Sequence, residues 1–187
     1  MKKILLLLAL AGAVFVMPTN AQDKPHSIAS VMDAQLGREE NEFTAAAEAM
    51  PEEKYSFAPT NGEFKGVRTF AEQVRHVAMF NYRFAAAILG EKPPVSIEGP
   101  DENGPASISS KADILKYLKE SFAYGHKAFA TLDEQRALAP IKNELGDTRL
   151  GIAALNLRHC NDHYGQMVEY LRMNNIIPPA SRPRPGR

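Results

Sequence analysis

The chain has 187 residues, with 22 basic and 22 acidic side chains and a formal charge of zero at pH 7. Proteins that bind nucleic acids usually carry an excess of basic residues that contact the phosphates. This chain has no such excess, which argues against a nucleic-acid-binding protein and against a nucleic-acid partner. The single cysteine excludes an internal disulfide, so the fold does not depend on a disulfide framework.

The first residues have the pattern of an export signal. Lys2 and Lys3 precede an apolar run at 4–16, and the small residues that follow predict cleavage after Ala21. The apolar run is shorter than the ~20 residues that a membrane-spanning helix requires, so an uncleaved anchor is the less favoured alternative. We therefore expect a signal peptide at 1–21 and a periplasmic or secreted protein, with no stable membrane span after cleavage.

Cleavage leaves 187 − 21 = 166 residues. This is the length of one domain with a sizeable core, and we assign the domain to residues 22–181. The remaining residues, 182–187, are rich in Arg and Pro, a composition that stays extended and solvated. They predict a flexible tail.

Four segments of the mature chain repeat apolar residues at the spacing of three and four that is typical of a helix. Pro, Gly and Asn separate these segments. The second segment begins with a capping box, Thr69 followed three residues later by Glu72, and Gly90 ends it. The segments lie at about 27–50, 69–90, 110–131 and 148–173.

Four long helices without strand-like alternation predict an all-α fold, a four-helix bundle. The loop at 91–109, between the second and third helices, is long for a compact domain. Loops of this length often carry function, and this one is either a lid over a site or a passive connection. For the first helix, the predicted buried stripe consists of Ile28, Val31, Leu36, Phe43 and Ala47.

Three of the five histidines form a pattern typical of a metal site. His159 and His163 stand four residues apart on the fourth helix, so their rings project from one face and can hold one ion. His76 interrupts the apolar face of the second helix, from which it could reach across the bundle. Taken singly, each is also explained as a hydrogen-bonded core residue. Together they favour one divalent metal, and we expect zinc or nickel, since both suit imidazole.

The neighbouring residues limit the chemistry. Zinc-protease helices carry a glutamate directly after the first histidine as the general base, and here that position holds Cys160. Asp162 precedes the second histidine and points about 100° away from it on a helix, so we do not assign it as the base. His126 is placed at the edge of the bundle, with a role as fourth ligand as the less favoured alternative.

Several segments resemble the DinB superfamily. Residues 69–78, which contain His76, are similar to the histidine-bearing second helix of that family. Residues 159–166, with the sequence HCNDHYGQ, and the stretch up to 181 are similar to its C-terminal helix and tail. The sequence MPEEKY at 50–55 resembles the exit of the first helix in one branch. The H-x-x-x-H pair is weak alone, whereas its combination with His76 and the Y-G-Q continuation is specific.

The resemblance implies a four-helix bundle with a long crossover connection, and a metal held by His76, His159 and His163. It also implies frequent homodimers. Family members include thiol-dependent S-transferases, in which a metal activates a small thiol. The present chain differs from them in its export signal and in having no tryptophan.

Three imidazole ligands leave a coordination position open, so we expect a metal-dependent hydrolase or thiol S-transferase that acts on a small molecule. No general base is assigned. The alternatives are a bundle that binds metal or ligand without catalysis, and a structural role for the histidines in a dry core. Five polar residues are candidates for the layer around the ligands: Asn81, Tyr82, Asn156, Tyr164 and Gln166.

Overall fold

A computed structural model describes residues 26–183. The expected signal peptide at 1–21 and the end of the expected tail, 184–187, lie outside the described residues. The described residues form five α-helices and three short 3-10 turns, with no strand among them. Across this part of the chain, no helix combines the length and the apolar character needed to cross a membrane. The helices are α1 (Ile28–Ala49), α2 (Phe70–Leu89), α3 (Lys111–Phe129), α4 (Glu134–Leu138) and α5 (Arg149–Met173).

Local capping chemistry explains why the four long helices agree with the predicted segments. Ser27, Thr69, Ser110 and Thr148 each accept a hydrogen bond from a backbone N–H in the first turn of the helix that follows. After α2, Gly90 adopts a left-handed φ of 76°, which ends the helix. The short helix α4 is not evident from the sequence, because its five residues span little more than one turn.

The long helices form a four-helix bundle in which α1 and α2 lie diagonally, each packed against α3 and α5. Lys111 at the start of α3 donates to the carbonyls of Glu48 and Met50 at the end of α1, so α1 and α3 are antiparallel. Arg149 at the start of α5 donates to the carbonyl of Ile88 near the end of α2. The helices α2 and α5 are therefore antiparallel as well.

The connection between α2 and α3 is the long crossover. Tyr55 contacts both Ala47 near the end of α1 and Ala71 at the start of α2, so α2 begins at the same end of the bundle as α3. Because α2 and α3 are parallel, residues 91–109 return along the length of the bundle. Arg75 of α2 holds the returning chain by donating to the carbonyl of Ile108 over 2.9 Å.

The core between the long helices buries most of the expected apolar residues. In the stripe predicted for α1, Leu36, Phe43 and Ala47 are buried and Ile28 is half-buried. Val31 is 45% exposed, so its predicted place in the stripe is wrong. The reason is helical geometry, because five residues separate it from Leu36 and turn it about 140° around the axis.

His126 lies at the edge of the bundle, as expected, and links α3 to α1. Its Nδ1 is 2.5 Å from Oδ1 of Asp33, and its Nε2 is 3.1 Å from Oε2 of Glu40. Burial opposes the protonated ring, but the hydrogen bonds and charges of the two carboxylates outweigh burial and raise the pKa of His126. The protonated ring donates to both carboxylates and ties the two helices together.

Replacing His126 with Gln is expected to destabilise the protein at pH 6 and to have a smaller effect at pH 9. A histidine whose pKa is raised in the folded state stabilises the fold below about pH 6.5, and this contribution is lost as the pH rises through the raised pKa. Because the ring is only partly buried, we expect a difference of about 1 kcal/mol or less in the free energy of unfolding. Urea denaturation at both pH values measures it, with His26→Gln as the exposed control. An equal effect at both pH values contradicts the ion-pair role.

Candidate metal centre

Three imidazole rings meet in the interface between α2 and α5. His76 belongs to α2, and His159 and His163 lie one turn apart on α5. Their ring centroids are 4.5–5.0 Å apart, and one nitrogen of each ring lies within 4.8 Å of the others. The structure therefore brings together the three residues that the sequence indicated as ligands.

Burial keeps the three rings neutral. His76 and His163 are 4% and 7% exposed, and His159 is half-buried. Loss of solvation, together with the neighbouring rings, lowers the pKa of His159 to about 3 and that of His163 to about 4. Loss of solvation also lowers the pKa of His76. At neutral pH each ring therefore offers a lone pair, which is the form that binds a metal.

A chain of amides fixes the tautomer of His163. Its Nδ1 lies 2.6 Å from Oε1 of Gln73, and the Nε2 of Gln73 donates to Oε1 of Gln166 over 2.8 Å. The Nε2 of Gln166 donates in turn to Asp162 over 3.2 Å. Because a carboxylate only accepts, Asp162 sets the direction of both amides. Gln73 therefore presents an oxygen to His163, whose Nδ1 carries the proton and whose Nε2 keeps its lone pair.

The crossover fixes the tautomer of His76. The carbonyl of Glu102 accepts from Nδ1 over 2.7 Å, so Nε2 carries no proton. Asp101 and Glu102 have φ angles of 53° and 57°, a left-handed conformation that is unfavourable for residues with a side chain. Arg68 holds this turn by donating to the Asp101 carbonyl and to the side chain of Asn103. The strained turn directs the backbone carbonyl of Glu102 toward His76.

The nitrogen positions fit a bound divalent ion. The Nε2 of His159 lies 3.1 Å from the Nε2 of His76, and the Nδ1 of His159 is buried without a hydrogen-bond partner. If His159 donates to His76, its Nδ1 is a buried acceptor without a donor, which is unfavourable. Two nitrogens that each lie ~2.1 Å from one zinc ion in tetrahedral geometry are separated by about 3.4 Å, close to the observed spacing. The spacing and the neutral nitrogen donors therefore suit one ion.

Aromatic side chains of α2 flank the cluster on one side. The ring of Phe80 lies 4.7 Å from that of His76 and 4.8 Å from that of His159, and Phe84 lies 5.7 Å from His159. Phe80 is half-buried and Phe84 is buried, so they form an apolar wall beside the rings. Such a wall limits water and strengthens the electrostatic interactions inside the site.

Of the five surrounding residues expected from the sequence, Gln166 is connected to the cluster, through Gln73. Asn81 and Asn156 are fully buried but accept from the Cys160 thiol at 3.3 and 3.4 Å, and so belong to a separate polar group in the core. Burial also raises the pKa of the Cys160 thiol, with a further contribution from a nearby carboxylate. Cys160 therefore provides no thiolate to the site.

The two tyrosines of that set have packing roles. Tyr82 packs against the rings of Tyr117 and Tyr124, at centroid distances of 5.2 and 5.7 Å. Tyr164 is partly buried at the margin of the hydrophobic core. Asp162 is exposed and accepts from Gln166, so it acts on His163 through the amide chain and is not placed as a base.

Three groups that touch or influence the cluster are not among those the sequence indicated. Gln73 has a signal in the sequence, because it lies three residues before His76 and so on the same face of α2. The Glu102 carbonyl has none, since a backbone group carries no residue identity. Arg68 precedes the helix cap, and the direction of its side chain depends on the crossover that it contacts.

The comparison with known families agrees with this geometry. The sequence model of the DinB superfamily matches residues 35–167, more than two thirds of the 187-residue chain. The match begins in α1, ends in α5 and includes all three histidines of the cluster. No curated protein matches the chain significantly. The chain belongs to the DinB superfamily.

Proposed function

We propose that this protein binds one divalent metal ion through His76, His159 and His163 and acts on a small molecule at the open coordination position. The convergence of three neutral imidazoles in one buried place carries the proposal. Three protein ligands leave at least one position for water or a substrate, the arrangement of a catalytic rather than a sealed structural site. Zinc and nickel are among the ions that suit this donor set.

The residues of the chain orient and shield the site. Gln73 holds His163 and the Glu102 carbonyl holds His76, so that both rings keep the Nε2 lone pair available. Phe80 covers the rings on one side. A bound divalent ion supplies Lewis acidity, which lowers the pKa of a coordinated water or thiol and polarises a carbonyl.

The reaction class that we propose is metal-dependent hydrolysis or thiol transfer. Cys160 is buried and remains a thiol, so the nucleophile is water or a small-molecule thiol rather than a side chain of the cluster. A second candidate is a bundle that holds the metal without catalysis. It is supported by the polar groups that contact the rings, because Gln73 and the Glu102 carbonyl both accept from histidines and neither is free to take a proton from a substrate.

Metal analysis of the purified protein tests the proposal. We expect about one zinc or nickel ion per chain in the wild type and none in the His159→Ala, His163→Ala double variant, because one imidazole alone binds weakly. His126→Ala is the matched control, since it removes a histidine that pairs with Asp33 and Glu40 instead. A wild-type protein that takes up neither ion after incubation is not a metalloprotein of this kind.

Replacing Gln73 with Leu tests whether the amide chain supports the site. Loss of the oxygen that accepts from Nδ1 frees the His163 ring to reorient, and we expect the metal affinity to fall about 10–100-fold. Competition with a chelator measures it. Gln35→Leu, on α1, is the control and should leave the affinity unchanged. An unchanged affinity in Gln73→Leu assigns the amide chain to packing alone.

We also propose that the protein acts outside the cytoplasm, on the basis of the apolar segment at 4–16 and the small residues before position 22. Expression in a bacterial host should yield a mature form that begins at Gln22, as measured by intact mass of the exported fraction. Ala21→Arg should prevent cleavage, because the peptidase requires a small residue there. A protein that keeps its first 21 residues contradicts the proposal.

A further inference from the structure

Arg68 brings a positive charge to the cluster without an acidic partner. It is half-buried just before α2, and its side chain donates to Oδ1 of Asn103 over 2.6 Å and to the carbonyl of Asp101 over 3.1 Å. Both acceptors are neutral, so neither compensates the charge. Within residues 26–183, the guanidinium forms no ion pair with a carboxylate.

The crossover places Arg68 beside His76 of the cluster. Arg68 and His76 bind the carbonyls of successive crossover residues, Asp101 and Glu102. Two neighbouring charges interact strongly where little water lies between them, so the charge of Arg68 would act on an ion in the cluster.

Two carboxylates lie near the cluster, those of Glu102 and Asp162, and both take part in other contacts. The Glu102 carboxylate is 60% exposed and pairs with Arg83, and Asp162 is exposed. Solvent and salt screen such groups more than they screen buried ones. No carboxylate belongs to the ligand set, so a divalent ion here keeps its full charge beside Arg68.

We infer that Arg68 recognises the ligand of this site, and that the ligand is a small molecule carrying an oxyanion, such as a carboxylate or a phosphate. The inference rests on the proposed function, since it concerns the ligand at the open position of the metal. An oxyanion offers one oxygen to an ion and another to the planar fork of an arginine. A neutral ligand leaves the excess positive charge uncompensated in a partly buried site, which is unfavourable.

A cleft of about 250 Å³ borders Arg68, and in this proposal it holds the end of the ligand that lies away from the three histidines, none of which lines it. Two of its lining residues are acidic, but their carboxylates form no ion pair with Arg68. Glu72 caps α2 by accepting from the N–H and the hydroxyl of Thr69. Asp101 contacts Arg68 through its carbonyl. The lining residues are Gly66, Val67, Arg68, Glu72, Asp101 and Asn103.

Oxyanion binding to the full mature protein loaded with Co²⁺ tests the inference, because the visible spectrum of the ion reports a change of ligand. Acetate and inorganic phosphate are the charged probes, and acetamide is the uncharged analogue of acetate. We expect a saturable change with at least one oxyanion and none with acetamide. Arg68→Gln should weaken oxyanion binding about tenfold to a hundredfold with the cobalt content unchanged, and Arg68→Lys should weaken it less.

The matched control is Arg75→Gln, which removes another guanidinium that holds the crossover, through the carbonyl of Ile108. It should leave the oxyanion affinity unchanged. Equal oxyanion affinity in the wild type and Arg68→Gln overturns the inference, as does equal binding of acetamide and acetate. Loss of cobalt from Arg68→Gln with an unchanged circular dichroism spectrum also overturns it, because Arg68 then only holds the crossover.

The oxyanion test separates this inference from the proposed function. If the wild type takes up no cobalt, the metal site itself is contradicted, and the inference about its ligand is contradicted with it. If the wild type binds cobalt but no oxyanion, the metal site stands and only the role of Arg68 is wrong. If Arg68→Gln does not fold, Arg68→Lys decides, since an ammonium keeps the charge but lacks the two-pronged contact and should still bind more weakly.

Discussion

Burial of three imidazoles in one helix interface is unfavourable unless each polar ring nitrogen has a partner, and much of the surrounding structure meets this requirement. Gln73 and the Glu102 carbonyl each accept one Nδ1 proton, which leaves two Nε2 lone pairs for an ion. His159 is the exception, because its Nδ1 is buried without a partner while its Nε2 faces His76. A metal ion in the cluster would be a shared partner for the Nε2 atoms of His76 and His159, which otherwise face each other.

The direction of the helices explains how a backbone carbonyl reaches the middle of α2. A short loop would suffice if α2 and α3 were antiparallel, and it would stay at one end of the bundle. Because they are parallel, the crossover returns alongside α2 and brings Glu102 to His76. Two successive residues accept a left-handed backbone there, held in place by contacts from Arg68 as well as His76. The bundle topology and the chemistry of the site are therefore coupled.

Ligand type and surrounding charge control different properties of the site. Imidazole nitrogens favour borderline metals such as zinc and nickel, but they do not reduce the charge of the ion. A carboxylate ligand would reduce that charge, and the cluster contains none. The apolar wall that includes Phe80 weakens solvent screening. The charge of Arg68 therefore acts more strongly on a ligand at the open coordination position of the proposed metal. In the proposed site, metal choice and ligand choice thus depend on separate groups.

The sequence by itself determined the four long helices and indicated the three histidines, because both depend on spacing along the chain. A cap such as Thr69 and a terminator such as Gly90 act within one helical turn, and a four-residue spacing places two rings on one face. Only the tertiary structure decided what surrounds those rings. The Glu102 carbonyl carries no residue identity, and the directions of Gln73 and Arg68 depend on α5 and the crossover. Contacts between distant segments form only when the helices pack, so local spacing does not determine them.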